Sequence, residues 1–411
     1  MITEEMMKKM ARLAVRRGVN VQKGQPFVMR ASTRDAAFVQ MCVKEAYEAG
    51  ASYADVEWNN QEITKLKYQY QDQKTLQNIP QDAYDRAARH NHDKACFLSV
   101  LSDAPDGMKD ADPEKINIYQ TAYAKKMKDL QKYMMNNEGQ WCVIGLPSKA
   151  WAHTVFPQLP IEEAYEKLGD AIFMTSRVDE KSDPIENWQK HDAELIEHAK
   201  KMTSYHFKAL HFTSELGTDL TVELVQDHIW MGGGDTTPAG VYFDPNIPTE
   251  EIFCMPHRNG VDGRVYASKP LSYGGKVIDH FWFEFQHGCV TDYGADAEKE
   301  TLTKMLNCDE GSRHLGEVAL VPYDSPISQS GILFFNTLYD ENAACHLALG
   351  ACYPENLKNG TSMSEEELYA HGANDSAQHV DFMFGTKELK ADGIRDDGSA
   401  VPVFRHGNFV F

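Results

Sequence analysis

Near the C-terminus the run HVDFMFG (379–385) places an imidazole and a carboxylate two positions apart in an otherwise apolar stretch. Read as a strand, it puts His379, Asp381 and Met383 on one face and Val380, Phe382 and Phe384 on the other. Same-face neighbours in a strand lie ~6.5–7 Å apart, so both polar side chains can reach one bound ion or two adjacent ions. A buried carboxylate is costly unless a cation or a strong donor meets it. A hydrogen-bonded His–Asp pair satisfies that demand as well as a metal does, and the run alone does not choose.

Three further segments carry the same residue types. In NIPTEEIFCMPH (246–257) a turn at Asn246, Pro248 and Thr249 leads into a strand that begins with Glu250 and Glu251. These two point to opposite faces, so one can serve a site while the other meets solvent. In GEVALVPYDSPIS (316–328) Glu317 opens a short apolar strand. In YDENAACHLALGACYP (339–354) Asp340, Glu341, His346 and Tyr353 stand among Ala343, Ala344, Ala348, Gly350 and Ala351, small residues that let backbone or ligand approach. Each segment taken singly reads as an ordinary strand end or core histidine. Together they offer more carboxylates than one tetrahedral zinc needs, with only two histidines. That excess points to two divalent ions with one carboxylate between them. The Gly-rich WMGGGDTTPAG (230–240) lacks the endings of a phosphate-binding loop and reads as a flexible loop or tight turn. There is no GxSxG and no HExxH.

Two kinds of chain must position these groups. Residues 1–204 alternate apolar runs with helical patterns: strands at 26–32, 53–59, 94–103 and 141–148, and helices at 35–51, 112–137, 161–173 and 183–203. Asp112-Pro113 reads as a cap followed by the first helical residue. Alternation of this kind predicts an α/β domain with a largely parallel sheet. Residues 205–411 show shorter, period-2 runs, a hairpin signal at Gly274-Gly275 and one clear helix at 296–307. In DHFWFEF (279–285) Phe281, Phe283 and Phe285 share one face. This half reads as a mixed, β-rich α+β domain, with the boundary near 204.

The 411 residues are 42% hydrophobic and 25% charged, which is ordinary for a globular chain, and allow two or three domains. Sixty-one acids against 41 bases give a formal charge of −20. Such a surface repels phosphate backbones and anionic membranes, so neither nucleic acid nor membrane is an expected partner. The N-terminus lacks a secretory h-region, and no run suits a membrane span. Eight scattered cysteines with no CxxC read as reduced thiols, which fits a cytoplasmic protein.

The segments NIPTEEIF, GEVALVP, NTLYDENAACHLALGACYP and HVDFMFGTKEL, in this order and spacing, resemble the M29 peptidases, the aminopeptidase T, aminopeptidase S and PepS group. The matching segments span about 205–411, and the first half resembles the family's N-terminal domain through weaker motifs. The resemblance implies a metal-dependent aminopeptidase, a hydrolase releasing N-terminal amino acids from peptides with a free N-terminus through a two-metal-activated water. It makes Glu251, Glu317, Glu341, His346, His379 and Asp381 the metal ligands, with Glu317 bridging. Tyr353 becomes the catalytic tyrosine; the mechanism also needs a carboxylate to move the proton to the leaving amine, and the sequence does not choose between Glu317 and Glu250. The implied ions are zinc, cobalt, magnesium or manganese, and the implied assembly is a cytoplasmic homodimer. Cys254 departs from the small hydroxyl residue expected there and raises an altered metal preference. Two other readings share these residues: another binuclear metallohydrolase, an amidohydrolase or phosphoesterase, or a binding module with structural metal.

Overall fold

The computed structural model describes residues 2–274 and 276–411, which fall into two compact units. The first comprises Met1–Lys190 and Gly234–Pro248, the second His191–Gly233 and Thr249–Phe411. The division therefore differs from a single cut near 204. The helix expected at 183–203 runs unbroken as Pro184–Tyr205, and the division falls inside it. The stretch 234–248 returns to the first unit because Asn246–Ile247 pairs with Trp141–Gly145, a long-range pairing that no local pattern announces.

The first unit is built on a five-stranded sheet. Its order is Asn246–Ile247, Trp141–Gly145, Cys96–Leu101, Phe27–Ser32, Ala54–Asn59, and every pairing is parallel. Central strands such as FVMRAS and CFLSVL are buried along nearly their whole length, as a sheet covered on both faces requires. The helix Ala36–Ala49 ends at Gly50, whose φ of +98° is open to glycine at little cost. The helix Pro113–Met135 starts as the sequence predicts: the Asp112 carboxylate accepts from the amides of Glu114 and Lys115, and Pro113 needs no partner for its nitrogen. Beside the edge strand sits a charged cluster. Arg86 donates from both Nη2 (2.6 Å) and Nε (3.1 Å) to Asp55, fully buried His90 bonds the same carboxylate at 2.9 Å, and Arg30 meets Glu57 at 2.9 Å.

The second unit is antiparallel, and its β-rich reading holds. An eight-stranded sheet runs from Cys289–Gly294 through Pro256–Tyr266 to Asn408–Phe409. A five-stranded sheet has the order His379–Met383, His346–Gly350, Leu315–Leu320, Ile252–Cys254, Met231–Gly232. One continuous apolar core joins the two. Phe382 of the smaller sheet meets Phe281 and Phe283 edge-on, with ring centroids 5.9 and 5.0 Å apart. Phe281, Phe283 and Phe285 are all buried there, as their alternation predicts. The hairpin at 271–278 is present, with Tyr273 opposite Lys276, although Gly275 lies outside the described residues. The Gly-rich stretch is more than a loop, because Met231–Gly232 forms the edge strand beside Ile252–Phe253. A Cβ at Gly232 would come within 2.6 Å of Ile252, so this close approach needs glycine. Among the described residues no helix is long and apolar enough to cross a membrane.

Candidate metal centre

Strand register places the polar side chains. Across the five-stranded sheet Glu317 lies opposite Ala348, and Ala348 opposite Asp381. Ala319 lies opposite His346, and Gly350 opposite His379. Directly opposed residues share a face. One face therefore carries Glu317, His346, Asp381 and His379 above a floor of Ala319, Ala348 and Gly350. The other face carries Ile252, Cys254, Val318, Leu320, Leu347, Leu349 and Phe382 into the core. Glu251 and Phe253 join the polar face by the same alternation.

A bulge makes this division work. Leu315 faces Leu349 in the core, yet Glu317, two residues on, faces Ala348 in the site, with the register slipping by one between them. Strict alternation would put both on one face. The extra residue, Gly316, resets the strand and re-aims the carboxylate, a common use of bulges beside functional sites. No side chain fits there: a Cβ would lie 2.2 Å from the carbonyl oxygen of Ala351.

Two groups of ligand-type atoms result, and both contain Glu317. Glu251, Glu317 and His346 form one, and Glu317, His379 and Asp381 the other, with the atoms of each group within 4.8 Å of one another. His346 Nε2 stands 2.9 Å from Glu251 Oε2 and 3.3 Å from Glu317 Oε1. His379 Nε2 stands 3.4 Å from Glu317 Oε2 and 3.2 Å from Asp381 Oδ1. Each oxygen of Glu317 thus serves a different imidazole. Both rings are held from behind, His379 Nδ1 against the Ala351 carbonyl at 2.7 Å and His346 Nδ1 against the Ala344 carbonyl at 3.2 Å. Such contacts hold a proton on Nδ1 and aim Nε2 at the carboxylates, so that Nε2 is the atom free to ligate once an ion displaces its proton.

The electrostatics describe a cluster that wants cations. Burial raises the Glu251 carboxyl, and it raises Glu341 far more, with the charges of Asp381 and Glu251 adding to it. Burial also opposes ionisation of Glu317, but hydrogen bonds from His346 and His379 outweigh it and hold the group at about 2. His379 stands at about 11: burial alone would lower it, and Asp381 and Glu317 reverse the sign. Two buried oxygens, Glu251 Oε2 and Asp381 Oδ1, meet only an imidazole Nε2, at 2.9 and 3.2 Å, and neither contact has good hydrogen-bond geometry. No lysine or arginine among the described residues ion-pairs with Glu251, Glu317, Glu341 or Asp381. Poorly satisfied buried oxygens and four acids met by two imidazoles and no fixed cation fit divalent metal ions.

The remaining sequence candidates fall at different places. Glu341 starts a short turn of helix next to the site, outside both three-residue groups but close enough for the charges of Asp381 and Glu251 to act on it. The Tyr353 ring lies 4.9 Å from the His379 ring and 5.7 Å, edge-on, from Phe253. Partial burial and the nearby carboxylates, Glu317 first, push its phenol up, so it stays a donor. Glu250 does not reach solvent; it is buried, its amide donates to Asn342 Oδ1 at 2.8 Å and its carboxylate lies 3.7 Å from His191. Cys254 points into the core on the face opposite Glu251, so its thiol does not border the metal ligands. Gly316, Asn342 and Phe253 are positioning residues that the sequence reading passed over. Only Asn342, an amide beside an acid in a run of alanines, left a local signal.

The sequence model of the M29 peptidases, described as thermophilic metalloprotease, matches residues 3–409. Aminopeptidase AmpS of Bacillus subtilis is 45% identical over 403 residues, covering 98% of this chain and 97% of its own. Aminopeptidase T of Thermus aquaticus is 38% identical over 406 residues, covering 99% and 98%. The solved structure of wild-type AmpT from Thermus thermophilus superposes with a TM-score of 0.93 at 37% identity, covering 99% of this chain and all of that one.

Proposed function

Because this chain belongs to the M29 family of metallopeptidases, we propose that it is an aminopeptidase whose centre binds two divalent ions and removes the N-terminal residue of peptides. The observation that carries this reading is the sharing of Glu317, one carboxylate whose two oxygens face two separate ligand groups. Glu251 and His346 complete one group, His379 and Asp381 the other, and Glu341, whose charge is felt by both, is assigned to the same ligand set. With neutral imidazoles, the four carboxylates carry a charge that two divalent cations would balance. Zinc, cobalt, manganese and magnesium all suit this oxygen–nitrogen donor set.

Ions held there supply Lewis acidity and a water acidic enough to ionise near neutral pH. The chain's own groups do the rest. The Ala344 and Ala351 carbonyls keep the imidazoles in the ligating tautomer. The Tyr353 hydroxyl, kept protonated, donates to the oxygen that gains charge as the peptide carbonyl becomes tetrahedral. A carboxylate must also carry a proton toward the leaving amine, a step that falls to Glu317 or Glu250. A free α-amine, deprotonated, would find a Lewis-acidic partner in one of the ions, which accounts for a substrate with a free N-terminus. Association into a homodimer belongs to the same reading, and sedimentation equilibrium tests it.

The direct experiment compares chelated and metal-reconstituted protein on aminoacyl amides, on their N-acetylated counterparts and on phosphate esters. Metal-dependent cleavage confined to the free-amine substrates is the expected result. Equal rates on acetylated substrates would remove the amine from recognition. Cleavage of phosphate esters alone would replace the peptidase with a phosphoesterase.

A further inference from the structure

Beside the metal centre a cavity of about 100 Å³ opens onto Asp381 and Glu341. Its apolar wall is formed by Leu271 and Val277 from the hairpin, Leu333 and Phe335 from the loop before Thr337, and Met383 two residues beyond Asp381, while Ser272, Asn336, Thr337 and the amide-bound Asp340 line the rest. The loop wall is held in an uncommon conformation. Phe335 has φ +55°, a left-handed backbone that bulky residues rarely adopt. The Asp340 carboxylate clamps both sides of it, accepting from the amides of Phe334 at 2.7 Å and Asn336 at 2.9 Å. Local strain held by a dedicated clamp marks positions where a side chain must be aimed.

We propose that this cavity receives the side chain of the substrate's N-terminal residue, and that Phe335 sets the size it accepts. The inference rests on the aminopeptidase reading and deepens it. An α-amine anchored at the centre puts its own side chain next to Asp381 and Glu341, where the cavity begins. An apolar cavity of about 150 Å³ holds a benzene ring, so the smaller one here suits an isobutyl group and excludes an indole. The favoured substrates are therefore peptides with aliphatic N-terminal residues of leucine size.

The test measures kcat/KM of the metal-loaded enzyme on alanyl, leucyl, phenylalanyl and tryptophanyl p-nitroanilides. The wild type is expected to prefer leucine over tryptophan at least ~10-fold, within the range a hydrophobic pocket achieves. Phe335→Ala should move that ratio at least ~10-fold toward tryptophan. Val277→Phe, at a side chain 42% exposed, should fill the cavity and shift preference from leucine to alanine by a similar factor. Val277→Phe decides the matter if Phe335→Ala does not fold. Unchanged ratios in a variant that still cleaves the alanyl substrate would overturn the pocket assignment. A wild type that cleaves none of the four would overturn the aminopeptidase reading itself.

Discussion

Two clusters in this molecule pair buried histidine with carboxylates, and they end in opposite states. In the first unit His90 lies against Asp55 and near Glu57, with Arg86 and Arg30 supplying fixed positive charge at 2.6–3.1 Å. In the second unit His346 and His379 lie among Glu251, Glu317 and Asp381, with no guanidinium or ammonium paired to the acids among the described residues. The first cluster is neutralised by the chain and tightens the fold. The second has only two displaceable imidazole protons against its acids, and any fixed cation must come from solution. A list of acids and histidines in the sequence does not separate the two. The presence or absence of an internal counter-ion does.

Removing the shared carboxylate tests this contrast hardest. Glu317→Gln should lower kcat/KM on the order of 10³-fold or more and reduce bound metal, while circular dichroism stays unchanged. Full metal content with full activity would take Glu317 out of the centre. Tyr353→Phe keeps the ring on His379 and deletes only the donor; kcat should fall by about 10²–10³-fold with KM little changed. An unaltered kcat would leave the tyrosine as a wall.

The mirror-image change in the other cluster is Asp55→Asn. It strands Arg86 and His90 and should cost about 1–3 kcal/mol in urea unfolding, with kcat and metal content as in the wild type. Lost activity in a folded Asp55→Asn protein would erase the distinction between the clusters.

The mildest effect is one of protons. In the metal-free centre both imidazoles are raised, His379 to about 11, because carboxylate contacts outweigh burial. They are therefore protonated at neutral pH, and an incoming ion must displace those protons. Metal affinity should rise with pH, and calorimetry in buffers of different ionisation enthalpy should detect proton release. Binding without proton release would mean that the histidines are not ligands.

Much of this was legible in the chain. Strand alternation placed His379 and Asp381 together over Phe382 and Phe384, and the buried aromatic face of 281–285 followed from the same period. The helix cap at Asp112 was read from residue type alone. What stayed hidden depends on distant pairing. Period 2 assigns Leu315 and Glu317 to one face, and only the register against His346–Gly350 exposes the bulge between them. Glu250 was expected in solvent because nothing local announces that His191 and Asn342 cover it. The same blindness applied to Cys254, whose distance from the ligands follows from its position opposite Val318.

The floor of the site has a consequence for judging natural variants. Ala348 sits between Glu317 and Asp381 on neighbouring strands, and its methyl group lies under the space where their oxygens converge. Exchanging it for valine keeps charge and apolar character, favours the strand, and replaces no proposed ligand. Yet the added carbons enter the volume an ion would fill. A survey that flags lost acids and histidines would pass such an allele as harmless. The quietest way to silence this protein is to enlarge a residue that takes no part in its chemistry.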